Sequence, residues 1–206
     1  TNGGVDWMPV TNWYVDPNYQ YTHADIHYLG FYGNRFYCGS DGGVFVSDDY
    51  GDTWTDLSPG LEITQFYAFS NSQTNSQLMV AGAQDNGSNK FLDGTWTHVF
   101  GADGFEALTY PGDDNTFYCS YQSGGILRTY DGGDNFDYIN TTGQDGAWLT
   151  PIAMNPVNPS VIWMGLEDMW VSLDAGDNWL NTTNGMLMGD HIDEIAIAPS
   201  NPLYVY

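Results

Sequence analysis

The octet SDDYGDTW, residues 47–54, sets three aspartates beside one glycine and ends on the largest apolar side chain. A solvated acidic loop has no use for Trp54, and a core strand does not tolerate Asp48, Asp49 and Asp52 together. The octet therefore reads as a compact turn with one wet side and one dry side. It recurs as TYDGGDNF at 129–136 and as SLDAGDNW at 172–179. FLDGTW, 91–96, is a shortened version, and the opening TNGGVDW, 1–7, is a version lacking its first residue. The three full copies share a hydroxyl at the first position (Ser47, Thr129, Ser172) and an aspartate at the third (Asp49, Asp131, Asp174). They also share a glycine at the fifth (Gly51, Gly133, Gly176) and an aromatic at the eighth (Trp54, Phe136, Trp179).

The aromatics Trp7, Trp54, Trp96, Phe136 and Trp179 follow one another at intervals of 40 to 47 residues. That period, with short alternating runs inside each interval, signals a repeat of about four strands per unit. NRFYCGSDGGVFVS aligns with NTFYCSYQSGGILRT, and each unit opens on its own alternating run: IHYLGFY, QFYAFS, FEALTYP, LTPIAMNP and DEIAIAPS. Helical spacing of apolar residues is nearly absent, while Gly reaches 25 of 206 residues. The expectation is an all-β chain. It forms a partial β-propeller of about four to five four-stranded antiparallel blades, residues 1–206 belonging to one propeller domain with blades ending near the five aromatics. Trp7 ends a blade whose earlier strands lie outside the sequence, and NPLYVY breaks off inside an expected strand, so a fragment of a longer chain is expected.

The octet resembles the Asp-box, or bacterial neuraminidase repeat, of sialidase-type propellers. The chain as a whole is similar to sortilin-type domains, xyloglucan-cleaving endoglucanases and exported multi-blade proteins of Bacteroidetes. HADIHYLGF, GSDGGVFVSDDYGDTW, ITQFYAF, GAQDNG and GTWTHVFGADGFEAL resemble the last group most. The resemblance implies that the box is the hairpin turn between the third and fourth strands of a blade, with its aspartate accepting main-chain N–H bonds, its glycine supplying a positive φ and its aromatic packed beneath. It also implies secretion or a cell-surface location, with a type IX secretion machinery as one partner. Such boxes occur in enzymes and non-enzymes alike, so the fold leaves the activity open.

Charge narrows the partners. There are 26 acidic residues against three basic ones, for a net charge of −23. Phosphate-binding patches need clustered Lys and Arg, which excludes nucleic acid as an expected partner. No apolar run reaches the roughly 18 residues of a membrane helix. Glycans, proteins and cations remain as ligands.

In a four-stranded blade the turns between second and third strands share a face with the crossings from one blade to the next, opposite the octets. Asp25, Asp41, Asp85, Asp103, Glu106 and Asp193 fall in those segments and are the candidate binding residues, joined by Gln84, Gln122, Glu167 and Asp168. Oxygen ligands of this kind suit Ca²⁺, the one candidate cofactor. In HADIH the alternation of His23, Asp25 and His27 would put all three on one strand face, a candidate transition-metal pattern.

The leading expectation is a non-catalytic, adhesin-like scaffold or binding module for a glycan or protein. The alternative is a xyloglucan-cleaving hydrolase using two of the face's aspartates. A sialidase mechanism is disfavoured, because only Arg35 and Arg128 are present and neither lies in a blade crossing. Trp148 and Tyr121 are the candidate sugar-stacking rings. Cys38 and Cys119 occupy equivalent strands of different units and are expected as buried free thiols.

Overall fold

The three octets each turn the chain between neighbouring strands of one sheet. We describe residues 2–186 and 190–206 in a computed structural model, in which the chain forms two units, Thr1–Thr64 and Gln65–Tyr206. Among the described residues every regular element is a strand.

In the first unit, two short parallel strands, β1 (Thr11–Asn12) and β2 (Gln20–Tyr21), precede a four-stranded antiparallel sheet. That sheet runs in chain order as β3 (Ile26–Tyr32), β4 (Arg35–Ser40), β5 (Gly43–Ser47) and β6 (Thr55–Asp56). The second unit repeats the sheet three times. The second sheet comprises β7 (Phe66–Asn71), β8 (Leu78–Ala83), β9 (Gly87–Leu92) and β10 (Thr95–Phe100). The third comprises β11 (Ala107–Thr109), β12 (Phe117–Tyr121), β13 (Gly125–Thr129) and β14 (Asp137–Tyr138). The fourth comprises β15 (Ile152–Met154), β16 (Ile162–Gly165), β17 (Met169–Ser172) and β18 (Leu180–Asn181). Each is a simple meander. This is the up-and-down blade of a β-propeller, and the chain is all-β with propeller-type blades.

The blades of the second unit bury apolar faces against one another. Val80 and Ala107 pack with Phe117 and Cys119, joining the second sheet to the third. Tyr118, Ile126 and Ile139 pack with Ile152, Ile162, Met164 and Leu166, joining the third to the fourth. Alternation explains both: on β12, Phe117 and Cys119 point one way and Tyr118 the other, so one strand serves two interfaces.

The three octets close the turn between third and fourth strands by one hydrogen-bond scheme. The first-position hydroxyl donates to the third-position carboxylate at 2.8 Å in each copy. It accepts from the fifth-position glycine N–H at 2.7, 3.0 and 2.8 Å. The carboxylate accepts from the main chain and side chain of the seventh residue, Thr53, Asn135 or Asn178, at 2.6–2.9 Å. These bonds hold Asp49, Asp131 and Asp174 down at about 2, each chiefly through the seventh residue's side chain. The fifth position sits at φ +99 to +102°, a conformation that glycine alone adopts cheaply. FLDGTW makes a shorter turn, with Asp93 and Gly94 both left-handed, as a two-residue hairpin demands.

Two expectations need correction. Trp7 is 87% exposed and donates its indole N–H to its own Gly4 carbonyl instead of joining a core. Trp96 is 44% exposed, with one side on Phe66 and Phe91. DEIAIAPS and NPLYVY pair antiparallel as expected, around the bridge Ile197–Val205, with Ala196 and Tyr206 exchanging two main-chain bonds at 2.8 Å and the Ala198 N–H on the Tyr204 carbonyl at 3.0 Å.

Candidate functional site

The segments opposite the octets carry the candidate chemistry in each unit. In the first unit, β3 begins at Ile26 and Asp25 is left-handed at φ +54°. The strand period therefore does not extend back to His23, and a bulge between Ile26 and Tyr28 resets it again at His27. The expected single face of His23, Asp25 and His27 is not formed. His27 Nε2 instead meets the Asp41 carboxylate at 2.6 Å, and the Asp25 and Asp41 carboxylates approach within 4.8 Å.

In the second unit, blade crossings clip onto the turns between second and third strands. After β10 the chain doubles back over the β8–β9 hairpin so closely that a Cβ on Gly104 would lie 2.1 Å from the Gly87 carbonyl oxygen. Only glycine permits that approach. The passage puts the Asp103 carboxylate on the Asp85 N–H at 2.9 Å, while the Asp103 N–H donates to Gln122 at 3.3 Å. One crossing is thus tied to the turns of two successive blades. The next crossing repeats the device. The Gln144 side chain accepts from the Asp168 N–H and the Trp170 indole, and donates to the Asp168 carboxylate at 2.9 Å.

Asp168 is a buried hub. It also accepts from Asn181, Thr183 and the Gly185 N–H at 2.6–2.9 Å. These donors hold its carboxyl well below the ordinary range, Thr183 contributing most. So saturated a carboxylate has a structural task. Asn140 and Asn181, two of the three glycosylation sequons with Asn86, likewise spend their amides on internal bonds.

Beside Asp103 lies an aromatic group that sequence reasoning reached only in part. Phe105 is fully buried. Over it stand Trp148, 4.5 Å away and inclined at 65°, and Tyr67, 5.4 Å away and inclined at 83°. Tyr67 and Trp148 meet edge to face at 5.9 Å and stay 44% and 46% exposed. The Tyr67 hydroxyl donates to the Gln84 side-chain oxygen Oε1 at 2.7 Å. Tyr67 sits in an ordinary alternating run, and the one signal for it was QFYAFS opening a blade. Tyr121 is not part of this group; it stacks on Phe100 at 5.7 Å.

Glu106 is half-buried, with its carboxyl raised by burial and then by the charge of Glu194. Asp193 is exposed and makes no hydrogen bond or ion pair among the described residues. The cations lie elsewhere: Arg35 forks onto Asp48 in the first unit, and Lys90 and Arg128 bind octet turns in the second. The Tyr67–Trp148 pair is therefore an aromatic surface with the Gln84 amide at its edge.

No family model matches the chain, and no curated protein matches it. Solved structures do. The GH74 xyloglucanase of Xanthomonas campestris is similar with a TM-score of 0.50 and 18% identity, over 84% of this chain and 33% of that one. YCF48 of Cyanidioschyzon merolae is similar at 0.49 and 14%, over 96% and 69%. An auxiliary nutrient binding protein from Bacteroides thetaiotaomicron is similar at 0.42 and 14%, over 71% and 38%. The chain spans 23 to 33% of the GH74 chains it matches. These likenesses concern the fold. Among the described residues, no helix is long and apolar enough to cross a membrane.

Proposed function

We propose that this chain is a non-catalytic propeller module, exported or displayed at a cell surface, that binds a neutral polar ligand such as a glycan on the Tyr67–Trp148 face. The observation that carries the reading is the pair of half-exposed rings set at right angles on buried Phe105, with the Gln84 amide at their edge. Two rigid rings with a polar rim suit the apolar faces and hydroxyl edges of a sugar. The net charge of −23 disfavours anionic ligands. The octets' likeness to Asp-boxes supports an exported propeller and the secretion machinery as a transient partner.

Calorimetric titration with xyloglucan and β-glucan oligosaccharides tests the reading. Binding that falls at least tenfold in Trp148→Ala and Tyr67→Ala, as loss of a stacking ring worth about 1.4 kcal/mol requires, supports it. Titrations equally silent for wild type and variants overturn it.

One observation favours a second reading, a glycoside hydrolase. Glu106, its carboxyl raised by burial and then by the charge of Glu194, has the character of a general acid. Release of reducing ends from the same glycans, abolished in Glu106→Gln, would replace the binding reading. For calcium, Asp25 and Asp41 supply two of the roughly six to eight oxygens the ion takes. Melting in CaCl₂ against NaCl of equal ionic strength decides it: matching curves remove the cation reading.

A further inference from the structure

The second unit shows how one blade grips the next. Lys90 on β9 donates its ammonium to the Gly132 carbonyl at 2.5 Å, and Arg128 on β13 donates to the Ala175 carbonyl at 2.9 Å. The two contacts are equivalent. Lys90 pairs with Val80 and Arg128 with Tyr118, the corresponding register of the two sheets, and each acceptor is the fourth residue of the following octet. Arg128 also meets Asp177, the sixth octet residue, at 2.8 Å. Two of the chain's three basic residues thus serve one purpose, a latch from a third strand to the next blade's turn.

The first sheet displays the receiving half of that latch. Its octet offers the Tyr50 carbonyl and Asp52 at the fourth and sixth positions, and Asp52 is exposed. Its octet face is more open, among the described residues, than those of the third and fourth sheets. Phe36 pairs with octet residue Ser47 and is only partly buried, whereas its counterparts Phe117 and Ile162 are 0% and 1% exposed. A Cβ on Gly133 or Gly176 would touch Val99 or Ile139 of the preceding blade at 3.0 or 2.8 Å, but the three atoms nearest to one on Gly51 belong to Phe36 and Trp54 of its own sheet, at 3.8 Å. Trp179 donates its indole N–H to Ile139 of the preceding blade, while Trp54 turns to its own Gly51 carbonyl. Tyr21 packs edge-on against Phe45 and covers the inner part of the sheet, leaving Phe31 56% and Tyr50 76% exposed.

We propose that the Phe31–Phe36–Tyr50–Trp54 face of the first sheet is a docking surface for a further four-stranded blade carrying Arg or Lys at the third-strand position held here by Lys90 and Arg128. The acidic, carbonyl-rich receptor calls for a cation in the partner. A second copy stacked head to tail does not meet that need, because the matching position in β17 is Val171.

The test appends a donor blade, a copy of residues 102–141 with its Arg128, ahead of the full chain through a flexible linker. A parallel fusion of residues 65–101 brings Lys90 instead. Hydrogen exchange of residues 43–56 is the readout. Slowing by about tenfold or more with either donor, reversed by Met at the donor's cationic position or by Asp52→Asn in the host, supports the proposal. Exchange unchanged with both donors overturns it. So does equal protection from the Met donor, which would make the surface merely apolar. Sedimentation of the unfused chain as a dimer protected over the same residues would assign the surface to a second copy and also overturn it.

Discussion

Arg128 and Ala175 belong to different blades, and a 2.9 Å hydrogen bond from guanidinium to main-chain carbonyl joins them. Ala175 also accepts from the Tyr118 hydroxyl at 3.0 Å, so one carbonyl gathers two donors from the preceding sheet. The bond lies at the rim of the apolar interface between the two sheets, where Arg128 is 6% exposed.

Removing that donor loosens the interface without emptying it. Arg128→Met keeps most of the stem's packing and loses a charge-assisted bond, so stability falls by about 2 kcal/mol. Arg128→Lys loses less. Urea unfolding of the three proteins checks the order.

Acid weakens the octets. Asp131 and Asp174 titrate at about 2 in the folded chain, below the ordinary value of 3.8, and Asp168 is also lowered. A carboxyl lowered by folding contributes stability above its unfolded value and loses it as pH falls through the folded one. The urea midpoint should be nearly flat around neutrality and drop steeply between about pH 4 and 2. Glu106 runs the other way, its raised carboxyl costing stability as pH climbs past the ordinary 4.5. Glu106→Gln should melt higher than wild type at pH 7.

Loss of the Asp168 carboxylate strands the donors of Gln144, Asn181 and Thr183 in a buried site. Asp168→Ala should destabilise by about 3 kcal/mol, since unpaired buried donors cost 1–3 kcal/mol each and some will find water. A loss below about 1 kcal/mol in urea titration would show the hub to be dispensable.

The same substitution should cost different amounts in different octets. Gly51→Ala and Gly176→Ala both force alanine into a left-handed turn, at about 1–2 kcal/mol. At Gly176 the new methyl would also lie 2.8 Å from Ile139 Cδ1, whereas at Gly51 the nearest atom is 3.8 Å away. Gly176→Ala should therefore be the more damaging, by thermal melting of both variants.

Both thiols should stay silent in the native protein. Cys119 is fully buried and pushed up to about 12, and burial raises Cys38 as well. A thiol-reactive dye at pH 8 should label neither until denaturant is added, since the thiolate is the reacting species. Rapid native labelling of Cys119 would contradict the packing between the second and third sheets.

The sequence alone determined the repeat. An octet with a hydroxyl, a carboxylate, a glycine and an aromatic at constant spacing is local chemistry, and its bonds span only four residues. Such contacts need no knowledge of the rest of the chain. The donor role of Thr53, Asn135 and Asn178 was equally local and legible in principle, as a small polar residue recurring at the seventh position. The meander order and the free cysteines followed from the same spacing.

What only the tertiary structure decided lies between repeats. Tyr67, Phe105 and Trp148 are scattered along 82 residues and converge because a crossing folds over one hairpin. Lys90 and Arg128 read as ordinary strand cations until the next blade's turn is placed beside them. The alternation of His23, Asp25 and His27 failed because a left-handed residue and a bulge break the period, and sequence pattern does not register either. Local hydrogen bonds are written in short motifs, whereas the juxtaposition of distant side chains depends on how sheets stack, and many sequences share that stacking.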